Sequence, residues 1–182
     1  MRTASFRFCA LPRMTERAGA DAIVRVELLA DHTDDIPTLA RWYQAEWPTW
    51  FADSTNTEIE ADIRNTAQRD CLPIGLVARN NGVLAGFCTV RAEPFDAYPG
   101  QSPWLRRLYV DHTFRGQGIA GELIAAVERT TAAIGIATLY AATHDAIGTF
   151  ERAGWLGFDQ VMYDDKLLTI FARRISVTRT AS

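Results

Sequence analysis

Asp111-His112-Thr113-Phe114-Arg115-Gly116-Gln117-Gly118-Ile119-Ala120 is the stretch on which the fold turns. Before it, Trp104–Val110 carries Leu105, Leu108, Tyr109 and Val110, an apolar and aromatic run suited to a buried strand. After it, Ile119, Leu123, Ile124, Val127 and Ile134 fall on one side of a helix, while Glu122, Glu128 and Arg129 fall largely on the other. The unit therefore reads as strand Trp104–Val110, loop Asp111–Arg115, a glycine turn at Gly116 and Gly118, and helix Ile119–Ile134. Glycine at those two positions permits backbone conformations that a side chain forbids and lets a ligand approach the main chain. A helix opened in this way points several unpaired N–H groups into one space, and its dipole adds about half a positive charge there. Such a start is an anion site, most naturally for phosphate. Arg115 adds a fixed charge beside it.

Three readings of that phosphate ligand compete. A P-loop fails, because no Gly-Lys-Ser/Thr closes the turn. The dinucleotide fingerprint G-x-G-x-x-G is met literally by Gly116-Gln117-Gly118-Ile119-Ala120-Gly121 and motivates an NAD(P)-binding oxidoreductase. Its context is wrong, however: Gly116 stands six positions beyond Val110, and the roughly 60 residues after Gly121 are too few for a doubly wound sheet. The third pattern, Q/R-x-x-G-x-G/A, is met by Arg115, Gly118 and Ala120, with strand, loop and helix of fitting length. Together with the words Leu-Tyr-Val-Asp and Arg-Gly-Gln-Gly-Ile-Ala, it resembles the acetyl-CoA-binding motif of the GNAT superfamily of acyl-CoA-dependent N-acyltransferases.

The remaining chain frames this unit. At 182 residues it reads as one domain. Apolar residues make up 48% and charged ones 23%, which excludes a disordered chain. A net charge of −3 without a basic stripe argues against nucleic acid as a partner. No apolar run is long enough for a membrane span or a secretory signal, so no membrane partner is expected. Cys9, Cys71 and Cys88 are far apart and have no metal spacing, so no metal site is expected and a reducing cytoplasm is the default. Residues 1–22 lack any steady period and read as an N-terminal extension, residues 23–175 as the folded domain, and 176–182 as a loose tail.

Along the domain, Ile23–Leu29 alternates like a strand, and Asp34 or Asp35 with Pro37 opens a helix reaching Trp47. A second helix spans Thr57–Arg69 and is stopped by Pro73. Ile74–Arg79 and Val83–Arg91 form a hairpin around Asn80-Asn81-Gly82, because Asn-Gly accepts positive φ at both turn residues. Gly135 ends the central helix. Ala137–Ala142 is a strand, Asp145–Ala153 a short helix, and Gly154–Gly157 a turn. Phe158–Tyr163 and Leu167–Arg173 form a closing hairpin around Asp164-Asp165-Lys166. The order β-α-α-β-β-β-α-β-α-β-β predicts an α/β (α+β) fold with a mixed, mostly antiparallel sheet of six or seven strands flanked by helices. It is also the order the GNAT resemblance implies.

That resemblance further implies acetyl-CoA as co-substrate and acetyl transfer to a primary amine of a small molecule or peptide. A homodimer is open to such a chain. The strand before the glycine turn would splay from its parallel neighbour and pair with the pantetheine arm through Leu108, Tyr109 and Val110. A backbone N–H near Val110 would face the thioester carbonyl. The pyrophosphate would meet the main chain of Arg115, Gly116, Gln117, Gly118, Ile119 and Ala120. Many relatives protonate the leaving thiolate with the Tyr of a Tyr-x-x-x-Gly-Phe motif; here that position is Phe150, in Phe150-Glu151-Arg152-Ala153-Gly154-Trp155. Tyr109, Tyr140 and His144 are the nearby alternatives. The strand that often carries a basic Glu offers Arg106 and Arg107 instead, so His144 and Glu93 stand as candidate bases. Against His144 stands the reading that Asp145 caps the short helix and His144 is a solvated loop residue. The aromatic cluster Trp47-Pro48-Thr49-Trp50-Phe51 is either core packing or one wall of the acceptor pocket. Without an evident strong base, an acceptor of low pKa is favoured. At pH 7 a lysine-like amine costs about 4.6 kcal/mol to present neutral, an α-amine only about 1 kcal/mol. The lost acid and base also motivate a non-catalytic acyl-CoA sensor.

Overall fold

A computed structural model describes residues 23–177; the extension read at 1–22 and the tail beyond 177 lie outside the described residues. The elements run β1 (Val24–Leu28), α1 (Ile36–Glu46), α2 (Asn56–Asn65), β2 (Ile74–Asn80), β3 (Val83–Arg91), β4 (Trp104–Val110), α3 (Ile119–Ala133), β5 (Thr138–Thr143), α4 (Ile147–Arg152), β6 (Leu156–Tyr163) and β7 (Lys166–Arg174). The seven strands form one sheet in the order β1-β2-β3-β4-β5-β7-β6. Every neighbouring pair is antiparallel except β4 and β5, which the α3 crossover makes parallel. This mixed sheet rules out the doubly wound fold that the literal G-x-G-x-x-G would need.

Alternation along the strands sorts the core into two layers. Ile74, Leu76 and Ala78 of β2 meet Leu123, Ile124 and Val127 of α3 on one face. Val77 and Phe87 meet Ile36, Leu39, Tyr43, Ile59 and Ile63 of α1 and α2 on the other. Each of these large side chains is almost wholly withdrawn from water. Burial of a Leu, Ile or Phe contributes about 1.5–3 kcal/mol. The sheet is therefore clamped from both sides, and its strand ends are free to carry a site.

Several boundaries differ from the expected ones, each for a local reason. Asp35 precedes α1 but makes no side-chain cap; its carboxylate pairs with Arg79 instead. Helix α2 ends at Asn65, well before Pro73. Thr66 turns its hydroxyl onto the Ile63 carbonyl (2.7 Å), and Gly75 N–H then takes the Thr66 carbonyl (2.7 Å), drawing the chain beside β2. At its start α2 carries a capping box: Thr55 Oγ1 accepts from Glu58 N, and Glu58 Oε2 accepts from Thr55 N. Gly157 lies inside β6, at an irregularity in its pairing with β7, rather than in a turn. The Asn81-Gly82 hairpin has positive φ at both residues, as its sequence demands.

Candidate active site

The parallel seam at the centre of the sheet is very short. β4 and β5 pair only at Trp104 with Tyr140 and Leu105 with Ala141. The cause lies on the other edge of β4. Between Phe87–Tyr109 and Thr89–Arg106, β3 advances by two residues while β4 advances by three. The extra residue makes a β-bulge, and Arg107 takes it up with φ +56. A bulge bends its strand and steepens the twist, so β4 leaves β5 and a wedge opens beyond Leu105. Asp111 N–H bonds to Ala85 O of β3. Strand alternation then directs the N–H groups of Val110 and Leu108 into the wedge.

At the mouth of the wedge stands the glycine turn. Gly116 (φ +78) and Gly118 (φ +81) are both left-handed, and Gly118 is the N-cap of α3. A Cβ added at either would meet nothing within 4 Å. The positions need glycine for their backbone angle, and the space above them is open. A cleft of about 610 Å³ lies there, lined by Val110, Arg115, Gly116, Gly118, Ile119 and Ala120 on one side and by Thr149 and Arg152 of α4 and the following Ala153 on the other. Its size suits a cofactor-sized ligand. Two arginines, the bared N–H groups of α3 and the helix dipole give it a positive lining, with Glu128, paired with Arg173, as the one acid there.

Of the residues singled out in the sequence, six therefore converge on this cleft. Gln117 does not line it: its amide accepts from Asn80 Nδ2 (2.8 Å) and donates to Thr113 O (3.4 Å), bracing the loop from behind. Arg115 is also partly spent inside the protein, donating to Val110 O (3.0 Å) and contacting Glu46 (3.4 Å). Leu108 packs toward the α3 layer. Tyr109 projects to the opposite face, against Trp42 (5.0 Å between centroids) and Trp47 (6.2 Å). Burial, with the carboxylates of Asp111 and Glu46, pushes the Tyr109 hydroxyl above its usual pKa, so it stays protonated at neutral pH. Glu93 and His144 lie outside the cleft. Glu93 sits just past β3, where its carbonyl accepts from Arg106. His144 is half-exposed beside Asp145.

Asp145 does not cap α4: the residue before the helix is Ala146, which makes no side-chain cap, and Thr143 Oγ1 closes the preceding turn, accepting from Ala146 N (3.0 Å) and donating to Asp145 Oδ1 (3.0 Å). Phe150 is buried, packed on Trp155 (5.1 Å) and Phe171 (5.3 Å), so its position serves the core. Arg152 was not singled out beforehand. Its signal was a basic residue on the element facing α3 across the cleft, which only the tertiary fold reveals.

The other face of the wedge is aromatic. The segment between α1 and α2 folds down on β4, with Tyr43 packed on Trp47 (5.3 Å) and Phe51 (5.4 Å). Trp50 reaches across to the β6–β7 turn, where its Nε1–H donates to Asp164 Oδ2 (2.9 Å). Trp47 and Phe51 of the aromatic cluster thus pack on the α1–α2 core layer, while Trp50 is half-exposed. Among the described residues no group of three His, Cys, Asp or Glu side chains is placed to hold a metal ion, and no helix is long and apolar enough to cross a membrane.

A family model described as "Acetyltransferase (GNAT) family" matches residues 36–155. Comparison with curated proteins finds no match. Among solved structures, aminoglycoside 6'-acetyltransferase type Ii is 20% identical, with 85% of this chain and 97% of that chain covered and a TM-score of 0.64. A GNAT-family acetyltransferase from Streptococcus pneumoniae is 17% identical over 86% of this chain and 100% of that one, with a TM-score of 0.64. An aminoglycoside 6'-N-acetyltransferase complexed with coenzyme A is 16% identical over 84% and 97%, with a TM-score of 0.63. At these identities the likeness to the solved structures is one of fold.

Proposed function

The chain belongs to the GNAT acetyltransferase family, and from that premise we propose that it transfers an acetyl group from acetyl-CoA to a primary amine of a small molecule or peptide. The observation that carries this reading is the two-residue seam between β4 and β5. It leaves the Leu108 and Val110 amides free to pair with an extended arm, as a further strand would. The left-handed Gly116 and Gly118, with open space above both, suit close approach of a pyrophosphate to the α3 N-terminus. Arg115 and Arg152 face the same cleft and balance its phosphate charge.

Acetyl-CoA supplies an activated acetyl thioester. This chain holds and polarises it. The Val110 N–H, aimed into the wedge, donates to the thioester carbonyl oxygen and stabilises the charge that grows there during attack. The Tyr109 hydroxyl, held protonated by burial, is suited to give a proton to the departing sulfur and unsuited to act as a base. His144 and Glu93 remain the candidate bases. Neither lies in the phosphate cleft, which is consistent with a role on the acceptor side.

The test is release of free thiol from acetyl-CoA with a panel of amines, and the mass and alkali stability of the product. Turnover yielding an alkali-stable amide is expected. Ester products would remove the amine acceptor from the reading. A second reading, a non-catalytic acyl-CoA sensor, is favoured by Phe150, whose place in the core leaves no acid at that position. Tight acyl-CoA binding without turnover on any amine would establish it.

A further inference from the structure

Asn80 is a polar side chain in a place that otherwise takes apolar ones. It closes the row Ile74, Leu76, Ala78 that β2 turns toward α3, and it is 5% exposed. Its amide can donate twice and accept twice. One bond is made: Nδ2–H donates to Gln117 Oε1 at 2.8 Å. Its Oδ1 is buried and accepts from nothing among the described residues. A buried amide oxygen without a donor lowers stability, and an apolar side chain in its place would lift that penalty. An amide kept there in spite of the penalty points to a task other than stability.

The task follows from where Gln117 sits. It stands between Gly116 and Gly118, both at positive φ, and glycine has more backbone freedom than any other residue. Neither glycine has a side chain to anchor, so Gln117 is the one side chain able to pin this turn. Its amide makes two bonds. The bond to Thr113 O (3.4 Å) stays within the loop, whereas the bond from Asn80 ties the turn to the sheet. The cleft runs along Gly116, Gly118 and Ile119, and Gln117 does not line it. The tie therefore holds the turn from behind and leaves its cleft side open.

We propose that Asn80 is a positioning residue for the co-substrate: through Gln117, it fixes the Gly116–Gly118 turn in the form that presents its amides to the pyrophosphate of acetyl-CoA. The inference rests on the acetyl-transfer reading and adds to it a residue of β2, 37 positions before Gln117. A loose turn loses conformational freedom when an anion binds, and that loss subtracts from affinity. A turn fixed beforehand by Asn80 avoids it. The fold is less stable at Asn80 so that the turn is better ordered for its ligand.

Asn80→Val and Gln117→Met, alone and together, are compared with the wild type by calorimetric CoA binding, steady-state kinetics, chemical denaturation and nitrogen relaxation of the unliganded protein. Wild-type Gly116, Gln117 and Gly118 amides should be as ordered as those of α3, and Asn80→Val should make them mobile on the nanosecond scale. Its affinity for CoA should fall, and its KM for acetyl-CoA rise, about 3- to 10-fold with kcat unchanged. It should be no less stable than the wild type, because Gln117 is exposed and its freed oxygen turns to water. Gln117→Met reads the same bond without touching the core, and should weaken CoA binding at least as much. Added to Gln117→Met, Asn80→Val should change affinity no further. A further loss in the double variant, an unchanged turn, or reduced stability at full CoA affinity would each overturn the proposal and leave Asn80 a purely structural residue. CoA binding and amide formation that neither substitution weakens would sink this inference and spare the transferase reading. Failure of the wild type to bind CoA would remove both.

Discussion

Gly118 illustrates how a single residue serves both backbone and ligand. Its φ of +81 strains any side chain, and a Cβ there would enter the open cleft. Gly118→Ala should lower folding stability by about 1 kcal/mol, and it should raise the KM for acetyl-CoA about tenfold with little change in kcat. Chemical denaturation and steady-state kinetics on the same preparation check both halves; an unchanged KM would place the phosphate elsewhere. Tyr109 is the complementary case, a side chain assigned to chemistry and not to cofactor binding. Tyr109→Phe should reduce kcat about 100-fold and leave acetyl-CoA affinity intact. A parallel loss of affinity would mean that its packing on Trp42 matters more than its proton.

Strand β4 is the element where fold and function meet. Its bulge at Arg107 shortens the seam with β5 and frees one row of amides. Asp111 N–H is bonded to β3, whereas Leu108 and Val110 point into the wedge. In hydrogen exchange without ligand, the Leu108 and Val110 amides should therefore exchange much faster than those of Tyr109 and Asp111. Saturating CoA should slow them by an order of magnitude or more, because an added strand supplies their acceptors. Equal protection of all four amides in the free protein would contradict the wedge. Helix α3 answers β4 from the other side: its buried Leu123, Ile124 and Val127 anchor it to the sheet, so its N-terminus is held fixed at the wedge mouth.

For the molecule as a whole, two core layers clamp one sheet and leave its centre split, so stability and function draw on different parts of the same strands. The loop between β4 and α3 ties them together. Burial tends to raise the pKa of Asp111, but bonds from the Thr113 hydroxyl (2.6 Å) and amide (2.9 Å) outweigh it, and His112 and Arg115 add to the lowering. The carboxyl is therefore held below its usual range in the folded state. A lowered folded-state value means stability that is fully present above the unfolded pKa of about 3.9 and lost as pH falls through the folded value. The stability difference between wild type and Asp111→Asn should be constant at neutral pH and shrink below about pH 4. A difference that grows on acidification would reverse the assignment.

The sequence by itself determined the order and kind of the elements and the glycine-opened helix, because periodicity, glycine and turn chemistry act over a few residues. Trp104–Val110, Val83–Arg91 and the Asn81-Gly82 turn are legible in this way. Only the tertiary structure decided where β4 parts from β5, which way Arg107 and Tyr109 face, that Asp145 does not cap α4, and that Phe150 belongs to the core. Those outcomes depend on register between distant strands and on which neighbours fill a given space. A bulge shifts every later side chain along its strand, and no local pattern announces it.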